Sequence, residues 1–443
     1  MVPFMILFIV ALLYGDYFLF ERGYQLYGRL LGEAFSGIFL IIVVAQLALR
    51  RRFDLPPKYV FWSVGFFFII LAGAIANDMS TGAVVMGIRE NFKYAPLFLL
   101  PIVYKFDDRQ IKTLLLVLLF FGCLQLPYMV HQRITEEWAT GDYITGTLLF
   151  SNNVSVFLIC SWAILFGCYL RKRVTQVQFV LLSITLLLPT TLNETKGSLV
   201  LLPLAFFLPL AFAPDIKRLG VKLIFAGGLF ALLAIGFSTI NTFLIGDRGG
   251  TSILDLFLNP DRLIAYLMPA AQGGSWMGRL DKLLLAWEQI SQSSVNLLLG
   301  VGLGNVNDTS HEIFAGEFTE FGSLLGTTFN QYLWETGIIG VTFALMFPIF
   351  SFFDARRIVG NNGLTSAIAN GWLAVAAITF VSVFYIRAPD AQAISYLFFF
   401  VAGHVAARAY QLRIGKHGFS GQKSSQAELM QHGLASARSH VAS

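Results

Sequence analysis

Eight cations stand out by where they fall between long apolar runs. Arg89 and Lys93 lie in GIRENFK, Lys196 in NETKGS and Arg387 in RAPD, while Arg248, Arg262, Arg279 and Lys282 share one long polar segment. An arginine fork grips two phosphate oxygens at once, so a set of such side chains is the chemistry of a phosphate or pyrophosphate clamp. Any one of them, taken alone, is also explained as a headgroup anchor or a rim ion pair. Proton-transfer candidates are fewer. Glu335 opens an apolar run, NQYLWETGIIG, where a buried carboxylate is costly unless it is paired or functional; a general base and a helix-capping contact are both open readings. His311, with Glu312 and Glu317, falls in the long polar segment, where a solvated loop is the plain alternative. His131 and Glu33 read as interfacial residues, His404 as structural, and Asp390 as a partner for Arg387. GVGLGN at 300–305 has the look of a dinucleotide fingerprint but lacks its third glycine and a βαβ setting, so it reads as a tight turn. Cys123, Cys160 and Cys168 all sit inside apolar runs, which points away from a disulfide or a metal site. No metal and no cofactor is expected.

The elements that must position these groups are membrane helices. Of the 443 residues, 56% are hydrophobic and 13% charged, and 43 are phenylalanine. Apolar runs of about 20 residues recur along the whole chain, the length that crosses a ~30 Å hydrocarbon core. They do not alternate polar and apolar, which excludes a membrane β-barrel. The expected architecture is all-α and integral to the membrane, with about twelve transmembrane helices near 3–20, 31–49, 59–77, 92–105, 112–130, 153–170, 177–192, 197–213, 222–245, 332–353, 366–386 and 391–410. The N-terminal MVPFMILFIV has neither a basic flank nor a cleavage site and reads as the first span.

Basic residues orient this set. Fifteen of them cluster in short loops on one side (Arg50–Arg52 with Lys58, Lys105/Arg109/Lys112, Arg171–Arg173, Lys217/Arg218/Lys222 and Arg356/Arg357), against seven in the alternate short loops. The positive-inside rule therefore puts both termini in the cytoplasm. The same asymmetry disposes of the net charge of +5 as a sign of nucleic-acid binding. The chain divides into nine helices over 1–245, one large extracytoplasmic (periplasmic) loop over 246–331, three helices over 332–411, and a disordered cytoplasmic tail over 412–443. Within the loop, RLDKLLLAWEQIS (279–291) spaces Leu280, Leu283, Leu284, Trp287 and Ile290 as one face of a surface helix lying on the membrane or the bundle. Long loops on a rigid scaffold carry function, so the chemistry is expected there.

GRLDKLLLAWEQISQSSVNLLLGVGLGNVN (278–307), followed by FNQYLWETGIIG (329–340), resembles the shared domain of the O-antigen ligases and the O-antigen and exopolysaccharide polymerases. TGTLLFSNNVSVFL (145–158) and NETKGSLVLLPLA are similar, more loosely, to two further segments of that family, so the resemblance covers residues 80–390. It implies a metal-independent, inverting glycosyltransferase of the bacterial inner membrane that uses undecaprenyl-pyrophosphate-linked oligosaccharide at the outer face. By the same resemblance Arg279 holds the pyrophosphate, Lys196 stands where the family has an arginine, and Asn330 and Tyr332 lie on the acceptor side. Phe329 stands where the ligases place a histidine as general base. A phenylalanine accepts no proton, so His311 or Glu335 would serve instead, or leaving-group stabilisation carries the barrier.

The expected reaction is polymerisation of O-antigen or exopolysaccharide repeat units, with Arg279, Lys196 and Arg89 on the pyrophosphate. Membrane lipid and a chain-length regulator are the expected partners. A ligase joining the glycan to lipid A-core differs only in acceptor. A lipid or sugar transporter would need ionisable groups along a midplane path, whereas the charges here crowd at one face. A non-catalytic scaffold of a polysaccharide export complex is the remaining alternative.

Overall fold

A computed structural model of the chain describes residues 1–50, 55–135, 143–193, 195, 197–213, 220, 259, 261, 277–306, 312–319, 326–387 and 392–414. All regular structure among them is helical. In chain order the helices are α1 (Val2–Glu21), α2 (Gln25–Arg50), α3 (Pro57–Ala76), α4 (Thr81–Phe92), α5 (Ala95–Tyr104), α6 (Asp108–Thr135), α7 (Ser151–Leu170), α8 (Gln176–Leu192), α9 (Ser198–Ala211), α10 (Arg279–Ile290), α11 (Ser294–Leu299), α12 (Thr328–Val359), α13 (Leu364–Ser382) and α14 (Gln392–Ile414). Eight of them (α1, α2, α3, α6, α7, α12, α13 and α14) are long and apolar enough to cross a membrane. The chain is an all-helical, multi-pass membrane protein.

Eight of the twelve expected spans are thus met by length and composition. Three others appear as shorter apolar helices, α5, α8 and α9. At 1.5 Å per residue the ten residues of α5 reach only about 15 Å, half a bilayer core. The missing length is preceded by α4, a helix that hydropathy did not signal because Arg89 and Glu90 interrupt its apolar run. Residues 222–245 and the tail from 415 lie outside the described residues.

The centre of the bundle is α7, α13 and α14, each mostly buried, with α1, α2, α3 and α6 around it exposing most of their apolar surface. No water-driven force holds helices together in hydrocarbon, so close backbone approach and polar ties must do it. Ala163 and Gly167 on α7 face Ala367 and Gly371 on α13, two small-xxx-small pairs. A Cβ on Gly371 would come 2.4 Å from the Ala163 carbonyl oxygen. Trp372 Nε1 on α13 donates to Ser351 Oγ on α12 at 2.7 Å, and Trp162 Nε1 on α7 to Ser183 Oγ on α8 at 2.9 Å.

The basic residues of one end serve as ties. Asp354 on α12 accepts from Lys58 at 2.7 Å and from the Tyr59 hydroxyl at 2.9 Å. Arg171 donates to the Val359 carbonyl, and Arg408 to that of Phe106 at 3.1 Å.

At the opposite end α12 is broken. Gly337 has φ 61° and ψ −165°, a conformation open essentially to glycine alone. The carbonyls of Trp334 and Glu335 therefore lose their helical donors three and four residues on. They accept instead from Val301 N–H and Gly302 N–H, both at 2.9 Å, of the GVGLGN segment. That segment is a turn, as its glycines predict, with positive φ at Gly300, Gly302 and Gly304. Gly337→Ala should cost about 2 kcal/mol from backbone strain alone, and more from the close approach of its Cβ to the Leu298 carbonyl, 2.5 Å. The expected result is a clearly lower midpoint of thermal unfolding in detergent; an unchanged midpoint would refute the role given to this break.

Candidate functional site

α10 is capped at Gly278, whose N–H donates to Asp281 Oδ2 at 2.9 Å, so the acid of the first turn is spent as a cap. Its apolar stripe divides. Ala286 and Ile290 are fully buried, packed with Leu283 towards α12, whereas Leu284 and Trp287 stay about half exposed. The positions expected on one face thus divide, with Leu283 and Ile290 packed towards α12 and Leu284 and Trp287 not. This packing fixes where its first residue, Arg279, can reach.

The Arg279 guanidinium lies over the ring of Tyr385, 4.5 Å from its centroid. The contact of the guanidinium with the ring face is a cation–π interaction. Tyr385 is in turn held by two segments far away in the chain. Its hydroxyl donates to Asn152 Oδ1 at 2.9 Å and accepts from Gly197 N–H at 3.3 Å. Asn193 binds those two segments to each other: its Nδ2 donates to the Ser151 carbonyl at 2.8 Å, and its Oδ1 accepts from Ser155 Oγ at 3.1 Å. The SNN segment, the NETKGS segment and the start of α10 therefore meet at one tyrosine. Lys196 lies outside the described residues, as do His311, Arg248, Arg262 and Asp390; Gly197, its neighbour, marks where the NETKGS turn enters the cluster.

Two residues beyond Tyr385, Arg387 Nε donates to Gln331 Oε1 at 3.3 Å. Gln331 passes the contact on, donating from Nε2 to Glu335 Oε2 at 3.0 Å, and Gly304 N–H takes Glu335 Oε1 at 3.0 Å. Glu335 is 1% exposed, with both oxygens accepting hydrogen bonds. Its side chain and its carbonyl thus hold the same turn. The segment carrying Tyr385 and Arg387 is itself fastened to the start of α12, with Thr328 N–H on the Ile386 carbonyl (2.9 Å) and Phe329 N–H on that of Val383 (2.8 Å). The Phe329 ring stacks on Phe384 at 4.6 Å, so Phe329 is a packing residue here. Asn330 is buried behind the Thr327 cap, and the Tyr332 hydroxyl donates to Asn91 Oδ1 on α4.

Arg89 is placed differently from the expectation of a free phosphate fork. On α4, Ala83, Gly87 and Asn91 fall one helical turn apart and face the GVGLGN turn and α12, which leaves Arg89 on the far side. There its Nε donates to Glu33 Oε2 at 2.7 Å, and Lys93 Nζ lies 3.5 Å from Glu33 Oε1. Burial lowers the Lys93 amine below the ordinary lysine range, against the pull of Glu33. Of the sequence candidates, then, Arg279 and Arg387 reach the Tyr385 region, while Arg89 joins a separate ion-paired cluster. Tyr385, Asn152 and Gln331 carry no spacing signal of their own, so reading the residues by type and spacing passed over them.

Lys282, one turn after Arg279 on the helix, completes the electrostatics. Burial lowers its amine below the ordinary lysine range, and the Arg279 guanidinium lowers it further. Both cations thus lie on one face of the first turn of α10, close enough for their charges to interact. The sign gives a test. A bound anion or the loss of Arg279 relieves the repulsion, so Arg279→Ala should move the labelling of Lys282 by an amine-reactive ester to higher pH, read by mass spectrometry. A midpoint that stays or falls would contradict the pairing. Among the described residues no three His, Cys, Asp or Glu side chains gather as metal ligands.

No protein-family model matches the chain, and no curated protein matches it either.

Proposed function

We propose that this protein is a polysaccharide polymerase of the bacterial inner membrane, transferring a glycan from undecaprenyl pyrophosphate to the terminal sugar of a lipid-linked repeat unit. In this reading the chain crosses the membrane twelve times, both termini are cytoplasmic, and the end bearing Arg279 faces the periplasm. One observation carries it: Arg279 lies over Tyr385, whose hydroxyl joins Asn152 and the backbone next to Lys196. These are the three segments that resemble the ligase–polymerase family outside α12, and they converge with a cation at their centre.

The chemistry follows from that placement. The acceptor hydroxyl oxygen attacks the anomeric carbon, the bond from that carbon to the pyrophosphate breaks, and charge grows on the departing oxygens. Fixed cations in a partly desolvated site stabilise that charge far more than water-exposed ones do. Arg279 and Lys282 supply it, joined by Lys196. Glu335 has both oxygens engaged and Phe329 cannot accept a proton, so most of the barrier lowering rests on the leaving group, with His311 as the acceptor-side base.

The test is a strain lacking the protein, complemented with wild-type, Arg279→Ala and Arg279→Lys chains at matched membrane levels. Loss of a charge-stabilising donor should lower polymer yield on the order of a hundredfold in Arg279→Ala, with single repeats accumulating and Arg279→Lys falling between. Long unlinked chains in the deletion strain would assign a ligase instead. Normal polymer length and yield with Arg279→Ala would sink the catalytic reading and leave a scaffold.

A further inference from the structure

Apart from the Tyr385 cluster, the bundle holds a cavity of about 380 Å³ between α3, α4, α5, α12, α13 and α14. Its walls are rings: Trp62, Phe66, Phe98, Phe347, Phe398 and Phe399. Two lining residues of α3, Val60 and Val64, are 41% and 48% exposed on a helix of membrane-spanning length, so the cavity opens sideways towards lipid. It runs along the helix axes, from Thr328 at one end of α12 to Pro348 well down it. A long apolar space open to the bilayer suits one hydrocarbon chain.

The polar end is more selective. Glu90 is the one carboxylate or cation lining the cavity among the described residues. Arg89 and Lys93 both make their ion pairs with Glu33, and Lys93 acts on Glu90 through its charge and not through a hydrogen bond. Asn91 is already committed, its Oδ1 to Tyr332 and its Nδ2 to the Gly87 carbonyl at 2.9 Å. Ser382, 3% exposed, lines the cavity with its hydroxyl unpartnered. A ligand head that brings a cationic donor for Glu90 and an acceptor for Ser382 would match both lining groups. A pyrophosphate matches the first less well, because it is an anion and offers the carboxylate no donor. An aminophospholipid meets both, with an ammonium group and ester or phosphate oxygens. We infer that this cavity holds one chain of an aminophospholipid such as phosphatidylethanolamine, its ammonium group on Glu90, as a site separate from that of Arg279.

Trp62 in the cavity wall makes the inference measurable. The purified protein is reconstituted in phosphatidylcholine vesicles containing either chain-brominated phosphatidylethanolamine or chain-brominated phosphatidylglycerol. The Trp62 contribution to fluorescence is isolated by difference from Trp62→Phe. Brominated phosphatidylethanolamine should quench Trp62 at about two- to fivefold lower mole fraction than the anionic lipid, the scale of a partly exposed ion pair. Glu90→Gln should bring the two curves together. Equal quenching by both lipids in the wild type, quenching by neither, or a preference that survives Glu90→Gln would each overturn the assignment. The readout needs no glycosyl transfer, so it stands or falls separately from the proposed activity.

Discussion

The constraint that organises this protein is the interruption of α12 at Gly337. In a setting poor in water, a helix cannot leave carbonyls without donors. The break sets two of them free, on Trp334 and Glu335, and the backbone of GVGLGN supplies the missing N–H groups. Once that turn is seated, α10 and α11 have a fixed floor, and α4 packs against the turn at Gly87 and Ala83. The side chain of Glu335 reinforces the same joint from below, through Gly304 and Gln331. A buried carboxylate is tolerated because it is fully hydrogen-bonded.

From that joint the candidate site follows in two steps. The start of α12 holds the segment 383–387 through its backbone, and that segment presents Tyr385. Tyr385 then meets the SNN and NETKGS segments through its hydroxyl and Arg279 through its face. Each tie is a modest hydrogen bond or ring contact. Their combined effect is to fix where the Arg279 guanidinium sits relative to Tyr385.

Cations with the same chemistry meet different ends in this fold. Lys58 and Arg408 are spent on Asp354 and Asp108, and Arg89 on Glu33. Arg279 and Lys282 share one short helix, where the guanidinium adds to the burial that lowers the Lys282 amine. Sequence spacing does not separate these cases, because the deciding neighbour lies on another helix.

The residue pattern by itself determined that the chain is an all-helical membrane protein, the approximate bounds of eight long helices, the turn at 300–305 and the amphipathic α10. Hydrophobic length, helical period and glycine conformation are local properties, so local sequence carries them. It did not reveal α4, whose charges hide it from hydropathy, or the short reach of α5. Only the tertiary structure decided that Arg89 is paired, that Glu335 fastens a turn, that Phe329 packs on Phe384, and that Tyr385 gathers distant segments around Arg279. Those outcomes depend on which side chains face one another across helices, and that is settled by packing and backbone hydrogen bonding over the whole bundle.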